Sequence, residues 1–290
     1  MSDPRALFRR YLEQQIALGQ PAIVWSTDRR IDGSADRGAD GQTGGQTDGM
    51  AERRDVDPSG RRSVGPSTRP SAAPPARRWA KDLPAIPTDI GFVLEAPTQD
   101  LFSTDPLAAA DMSAVERLVH ACTNCGLHEK RRHAVPGEGP REARLVVVGE
   151  GPGATEDEQG RPFVGRAGEL LTEILAAIDC PRETVYICNV VKCRPPENRK
   201  PAADEIEACM PYLHRQLAII RPKVILAMGG TAAEALLHTK ASLGSLRNKV
   251  HQYRGIPLIV TYHPAALLRN PNWKRPTWDD VRIARQLLDQ

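Results

Sequence analysis

Two cysteines stand close together as Cys122-Thr-Asn-Cys125, and two more, Cys193 and Cys209, follow much later. Four thiolates suit a tetrahedral metal ion or an iron–sulfur cluster. C-x-x-C commonly gives two ligands to one metal. The long gap from Cys125 to Cys193 means that the site ties remote segments together and is no compact zinc ribbon. Spacing alone leaves Zn²⁺ and iron–sulfur equally open, since both accept four thiolates. Of the other two cysteines, Cys188 lies inside an apolar run and reads as core, and Cys180, just before Pro181, reads as a turn residue.

A second set of chemical groups ends four apolar runs. The first run closes on Gly149-Glu150-Gly151-Pro152-Gly153, the second on Asn189 and the stretch to Cys193-Arg194, the third on Gly229-Gly230-Thr231, and the fourth on Tyr262-His263-Pro264. The first of these is not a dinucleotide fingerprint, because Pro152 removes an amide and Glu150 would repel a pyrophosphate. It makes a rigid wall that a flat ligand can approach, or else a tight turn with a solvated glutamate. Phe163, in a turn-rich stretch, can stack a base or pack in the core. Asn189 can accept and donate side by side, matching an imide-like edge, or cap a turn. His263 can donate to an oxygen that gains charge, or be structural.

These groups need a scaffold that brings strand ends together. Residues 144–149, 184–191, 223–229 and 256–263 read as short buried strands. They alternate with helical patterns at 165–178, 201–220, 231–237 and 278–290, and a helix over 113–121 leads into the first cysteine pair. Such alternation implies right-handed crossovers and a mostly parallel sheet covered on both faces. Ligands then bind beyond the carboxyl ends of the strands.

The N-terminal part has a different character. A helix over 4–19 would place Leu7, Phe8, Tyr11 and Leu12 on one face, before Gly19 and Pro21; it either docks on the core or offers a motif to a protein partner. Residues 27–85 contain few branched apolar residues and cannot offset their chain entropy, so they are expected to be a disordered linker between an N-terminal segment, 1–26, and a partly ordered approach segment, 86–111. The net charge of +3 is too mild to prove a nucleic-acid partner. Two local runs, Lys192, Arg194, Arg199 and Lys200, and Arg269, Lys274 and Arg275, could meet phosphates or remain solvated. MSDPRALFRRYLEQQ lacks the apolar stretch of a signal peptide, and no apolar run nears the roughly 20 residues of a membrane span. The expectation is a cytoplasmic monomer with reduced cysteines.

The motifs CTNC, GEGPG, GRPFVGRAG, NVVKCRPPENRKP, the helix bearing Cys209, and YHPAALLRNP stand in one order over residues 112–290. In that order they resemble the family 4, iron–sulfur uracil-DNA glycosylases. The resemblance implies a three-layer α/β/α domain with a four-stranded parallel sheet, following the N-terminal extension. It implies a [4Fe-4S] cluster on Cys122, Cys125, Cys193 and Cys209, with a structural task. It implies base excision repair on uracil-containing DNA, single- or double-stranded: deoxyuridine is flipped out, its N-glycosidic bond is hydrolysed and an abasic site remains. Phe163 would stack on uracil and Asn189 would read its Watson–Crick edge. Glu150, Gly151 and Pro152 would line the ring and exclude a 5-methyl group. His263 would hydrogen-bond O2 as charge develops. Relatives outside family 4 carry an aspartate one position after Glu150. Here that position is Gly151, so the weight falls on leaving-group stabilisation, with Glu150 positioning water or stabilising the sugar cation. Leu268 or Arg269 would wedge into the vacated stack, and Lys192, Arg194 and Arg275 would contact phosphates.

Two other readings share some of these residues. A binding module would use the cleft only to scan DNA, and an electron carrier would not need Phe163, Asn189 and His263 around a cleft. A subclass that is trapped covalently on uracil-DNA carries a basic, His-bearing loop after the second strand. PPENRKP here has no histidine.

Overall fold

A computed structural model describes residues 78–95, 107 and 110–290 of the chain. The helix expected over 4–19 and the linker up to residue 77 lie outside the described residues.

The core is built from strands whose every residue is buried. Leu145–Gly149 (β2), Tyr186–Asn189 (β3) and Val224–Met228 (β4) are buried throughout, and Ile256–Thr261 (β6) is buried from Leu258 onward. Runs rich in Val, Ile and Leu with both faces covered are what a central parallel sheet requires. Val146, Val148, Ile225, Ala227, Leu258 and Val260 point into one apolar layer. It is shared with helices Met112–Ala121 (α1), Ala203–Ile220 (α4) and Gly230–Leu237 (α5). The C-terminal helix, Lys274–Asp289 (α8), packs against β4 and β6. It begins earlier than residue 278, and Pro276 is tolerated because it falls in the first turn, where an amide has no helical partner.

The sheet has six strands where four are expected from the sequence. The order is β1-β5-β6-β4-β2-β3, with Ile90–Leu94 as β1 and Val250–Tyr253 as β5. The four expected strands pair in parallel, and β5 runs antiparallel to β6. β5 and β6 are joined by Arg254-Gly255, both at positive φ (50° and 80°), the backbone that a two-residue hairpin needs. β1 adds to the outer side of β5.

Within the stretch expected as linker, residues 78–85 are docked. Trp79 is buried, donates its indole N–H to Asp179 (2.7 Å) and lies under the Arg285 guanidinium (4.6 Å). Arg282 donates to the carbonyls of Lys81 and Asp82. No helix among the described residues is long and apolar enough to cross a membrane.

Register fixes the position of the site. Gly149 pairs with Asn189 and Met228 with Thr261, so the carboxyl ends of β3, β2, β4 and β6 lie side by side. The ladder runs on past the strands, with Val190 N donating to Gly149 O and Val191 N to Glu150 O (2.9 and 3.1 Å).

Candidate active site and cysteine site

Gly149 lies directly against two of the side chains singled out in the sequence. A Cβ placed there would lie 2.4 Å from Asn189 Oδ1 and 2.5 Å from Phe163 Cζ, so both side chains press against bare backbone. Asn189 is 1 % exposed, and among the described residues its Oδ1 has no hydrogen-bond partner. A buried amide oxygen without a donor costs about 1–3 kcal/mol, a cost removed by a ligand N–H.

Phe163 is buried at φ +50°, a left-handed conformation uncommon for an aromatic residue. Three neighbours hold it there. Arg182 donates to the carbonyls of Phe163 and Pro162 (2.9 and 2.6 Å). Glu156 Oε1 accepts from the amides of Val164 and Gly165 (2.9 and 2.8 Å), while its Oε2 accepts from Gly153 N (3.1 Å). Gly168, in helix Arg166–Ala177 (α3), comes so close to the Phe163 carbonyl that a side chain would collide with it. Glu156 thereby clasps the GEGPG turn to the Phe163 loop through the first turn of helix Ala154–Gln159 (α2). Sequence reasoning missed Glu156, although a glutamate three residues after Gly153 is the capping-box spacing.

His263 precedes helix Pro264–Arg269 (α7) and serves as its N-cap. Its Nδ1 accepts from Ala265 N at 3.2 Å. Burial pushes its pKa down to about 4, with Arg269 adding in the same direction. A neutral imidazole that accepts at Nδ1 carries its proton on Nε2, so the ring presents one N–H donor. Its centroid is 5.4 Å from that of Phe163. Gly229, at φ +95°, lets β4 end against the histidine: a Cβ there would lie 3.2 Å from His263 Cβ.

Glu150 is half-buried and accepts from Thr231 Oγ1 at 2.5 Å, so the first turn of α5 aims the carboxylate of the β2 turn. Gly151 faces Val191, and Pro152 is buried. Beneath this wall Thr261 Oγ1 and Arg247 both donate to Asp280 (2.7 Å each to Oδ2). Arg247 also lies over the ring of Tyr262 (4.6 Å), which stacks on Trp273 (4.7 Å).

The four cysteines come from remote segments to one place. Cys122 caps α1, Cys125 opens the turn Gly126–Glu129, Cys193 follows β3 and Cys209 sits in α4. All four line one pocket. Burial raises the thiols of Cys125 and Cys193 and pushes Cys209 up to about 12. N–H donors are aimed at the sulfurs: Arg131 Nη1 at Cys193 (3.0 Å), Lys192 N at Cys209 (3.2 Å) and Asn124 N at Cys122 (3.5 Å). Among the described residues no three His, Cys, Asp or Glu side chains stand close enough to share a single ion. Cys180 and Cys188 lie outside this pocket and are buried.

The residues expected at phosphates divide. Lys192 is corrected: it is 1 % exposed, with Nζ donating to Asn189 O and Gln216 Oε1 (2.7 Å each), so no phosphate can reach it. Arg199 and Lys200 are paired with Glu205 and Glu234. Arg194 is half-buried against Asn198, Arg269 and Arg275 are exposed, and Leu268 is half-buried on α7. Leu268 and Arg269, expected to wedge into the stack, lie on this helix, which buried Leu267 anchors.

A family model described as the uracil DNA glycosylase superfamily matches residues 136–283. The chain is 47 % identical over 169 residues to a type-4 uracil-DNA glycosylase of Pyrobaculum aerophilum, covering 56 % of this chain and 86 % of that protein. It is 46 % identical over 181 residues to one of Thermotoga maritima, covering 61 % and 94 %. A type-5 uracil-DNA glycosylase of Thermus thermophilus is 35 % identical over 153 residues, covering 44 % and 68 %.

Proposed function

Since this chain belongs to the type-4 family of the uracil DNA glycosylase superfamily, we propose that the cleft over Gly149 receives a uracil turned out of DNA and that His263, Asn189 and Phe163 handle it. The protein is a uracil-DNA glycosylase, a hydrolase of N-glycosyl bonds that excises uracil in DNA repair.

One observation carries the pocket reading. The unpartnered Asn189 Oδ1 and the Phe163 ring meet over Gly149, and the His263 ring, whose Nε2 carries the proton, stands beside that Phe163 ring; the three come from remote segments. Uracil offers complementary groups. Its N3–H supplies the donor that Asn189 Oδ1 lacks, its O4 accepts from the same amide, and its O2 accepts from His263. Phe163 stacks on the ring. Gly151 and Pro152 bound the edge where thymine carries its methyl group.

Hydrolysis breaks the bond from C1′ to N1, and the bonding pair passes to the uracil ring, largely onto O2. A fixed neutral donor at O2 stabilises this anion as it forms. A donor of this kind is worth about 2.7–4 kcal/mol. Glu150, held by Thr231, is placed to orient the water that adds to C1′ or to offset the sugar's positive charge. Arg194, Arg269 and Arg275 meet backbone phosphates, and Leu268 or Arg269 fills the vacated stack.

Cys122, Cys125, Cys193 and Cys209 would hold a [4Fe-4S] cluster. The fit is chemical. Four thiol sulfurs line one pocket, and N–H donors face three of them, as suits a thiolate-held cluster. When bound, such a cluster supplies structural cross-linking of α1, the loop after β3 and α4.

The test uses purified protein and uracil-containing oligonucleotides. Broad absorbance near about 400 nm with bound iron, and strand breaks at uracil after alkali, are expected. Colourless protein holding stoichiometric zinc would remove the cluster; intact oligonucleotides would leave only a scanning module.

A further inference from the structure

Lys192 is a buried cation with no carboxylate partner among the described residues. Its ammonium is bonded only to neutral oxygens, Asn189 O and Gln216 Oε1, and among the described residues it joins no ion pair. Gln216 is buried as well and is itself fixed, donating to Pro136 O (2.9 Å) and Tyr186 Oη (3.0 Å). An uncompensated buried charge costs several kcal/mol, so a residue in this position needs an anion nearby. The backbone N–H of the same lysine donates to Cys209 Sγ, and Cys193 is the next residue. A cluster held by four thiolates is anionic overall.

Resting on the cluster and pocket reading above, we propose that Lys192 is a positioning residue that couples the cysteine site to the uracil pocket. Its ammonium is the counter-charge of the four thiolates, and its hydrogen bond to the Asn189 carbonyl fixes the peptide that carries the base-reading amide. The lysine spans the two sites because β3 ends in Asn189 and the chain then turns through only three residues to Cys193. Outer groups of this kind typically change metal affinity or activity by about 10–100-fold when removed.

The experiment compares wild type, Lys192→Met, Lys192→Gln and Lys192→Arg as purified holoproteins. Two quantities are measured on each: the midpoint potential of the cluster by film voltammetry, and single-turnover uracil excision with DNA affinity determined in parallel. Removing a positive charge beside the cluster favours its oxidised form, so Lys192→Met and Lys192→Gln should shift the potential downward. Lys192→Met should also slow excision by about 10–100-fold with DNA binding unchanged, and Lys192→Arg should stay near wild type in potential. A wild-type potential in both neutral variants overturns the counter-charge, and a wild-type excision rate in Lys192→Met overturns the coupling. Should Lys192→Met fail to fold, Lys192→Gln, which keeps a donor but no charge, decides both points. Wild-type protein that is colourless or inert would instead sink the underlying reading, and the inference with it.

Discussion

The rings of Phe163 and His263 stand 5.4 Å apart, centroid to centroid, with planes tilted by 30°. They lie 100 positions apart in the sequence, and each is held by a backbone contact made before any ligand arrives. Phe163 is locked by Arg182 and Glu156, and His263 by the amide of Ala265. A pocket fixed in this way avoids reorganisation during the reaction, which is the condition under which hydrogen-bond donors stabilise a leaving group most.

His263→Ala should lower single-turnover excision by about 10²–10³-fold while DNA affinity stays within a few-fold. Because burial holds the ring neutral down to about pH 4, excision should show no inflection from this group between about pH 5 and 8. The stability effect has a definite sign. The folded pKa lies below the unfolded value of about 6.5, so the unfolded chain takes up the proton first and stability is lost as pH falls from about 6.5 toward 4. His214, likewise pushed down to about 4 by burial, adds to that loss. Chemical denaturation across this range should show a smaller acid loss in His263→Ala than in wild type. An equal loss would place the titration elsewhere.

Gly149→Ala should abolish most excision. The added methyl group would sit 2.4 Å from Asn189 Oδ1 and 2.5 Å from the Phe163 ring, and both side chains are buried. One of the two pocket walls must move, with an overpacking cost of about 1–3 kcal/mol. Excision assays alongside thermal melts check this; near-normal excision would mean that the floor of the pocket lies elsewhere.

Glu156→Gln tests whether the left-handed Phe163 is held from outside. The carboxylate accepts three amides, and a carboxamide offers only one oxygen for them. The variant should lose about 1–3 kcal/mol of stability, excise more slowly, and retain wild-type DNA affinity. Arg182→Met, which frees the two carbonyls on the other side of the loop, should give the same pattern. Normal excision in both variants would show that Phe163 needs neither clasp.

The four central strands were legible because both faces are buried and their residues are almost all branched and apolar, and the carboxyl-end rule then set Glu150, Asn189 and His263 at the ends of strands that lie side by side, whereas Phe163 reaches them from a loop. β5 was not legible, since its turn is Arg254-Gly255 rather than a common Asn-Gly pair, and its polar residues leave little apolar alternation. β1 escaped for a related reason: Ile90, Phe92 and Val93 are exposed on an outer strand, a pattern fixed by pairing with β5 and not by burial. Lys192 misled because its neighbours in sequence are cations near solvent, whereas its partner Gln216 belongs to α4. Such a long-range hydrogen bond leaves no local trace. Arg182 and Asp280 were missed on the same ground.

Asp280 supports the histidine side of the cleft from below. Its side chain is 1 % exposed and that of Arg247 8 %, and the two are joined by bonds of 2.7 and 3.0 Å, with Thr261 as a third partner. Burial pushes the carboxyl up to about 6 even against the guanidinium. Asp280→Asn leaves Arg247 buried without its anion, which should cost about 3–5 kcal/mol. Excision should fall too, because Thr261 ends the strand that delivers Tyr262 and His263. The double variant Arg247→Met/Asp280→Leu removes both charges together and should recover much of the stability. It should not recover excision, since Tyr262 then loses the guanidinium stacked on its ring. Denaturant titrations of wild type, Arg247→Met, Asp280→Leu and their double variant read the first effect and single-turnover assays the second. Additive losses of stability would mean that the two side chains do not act as a pair.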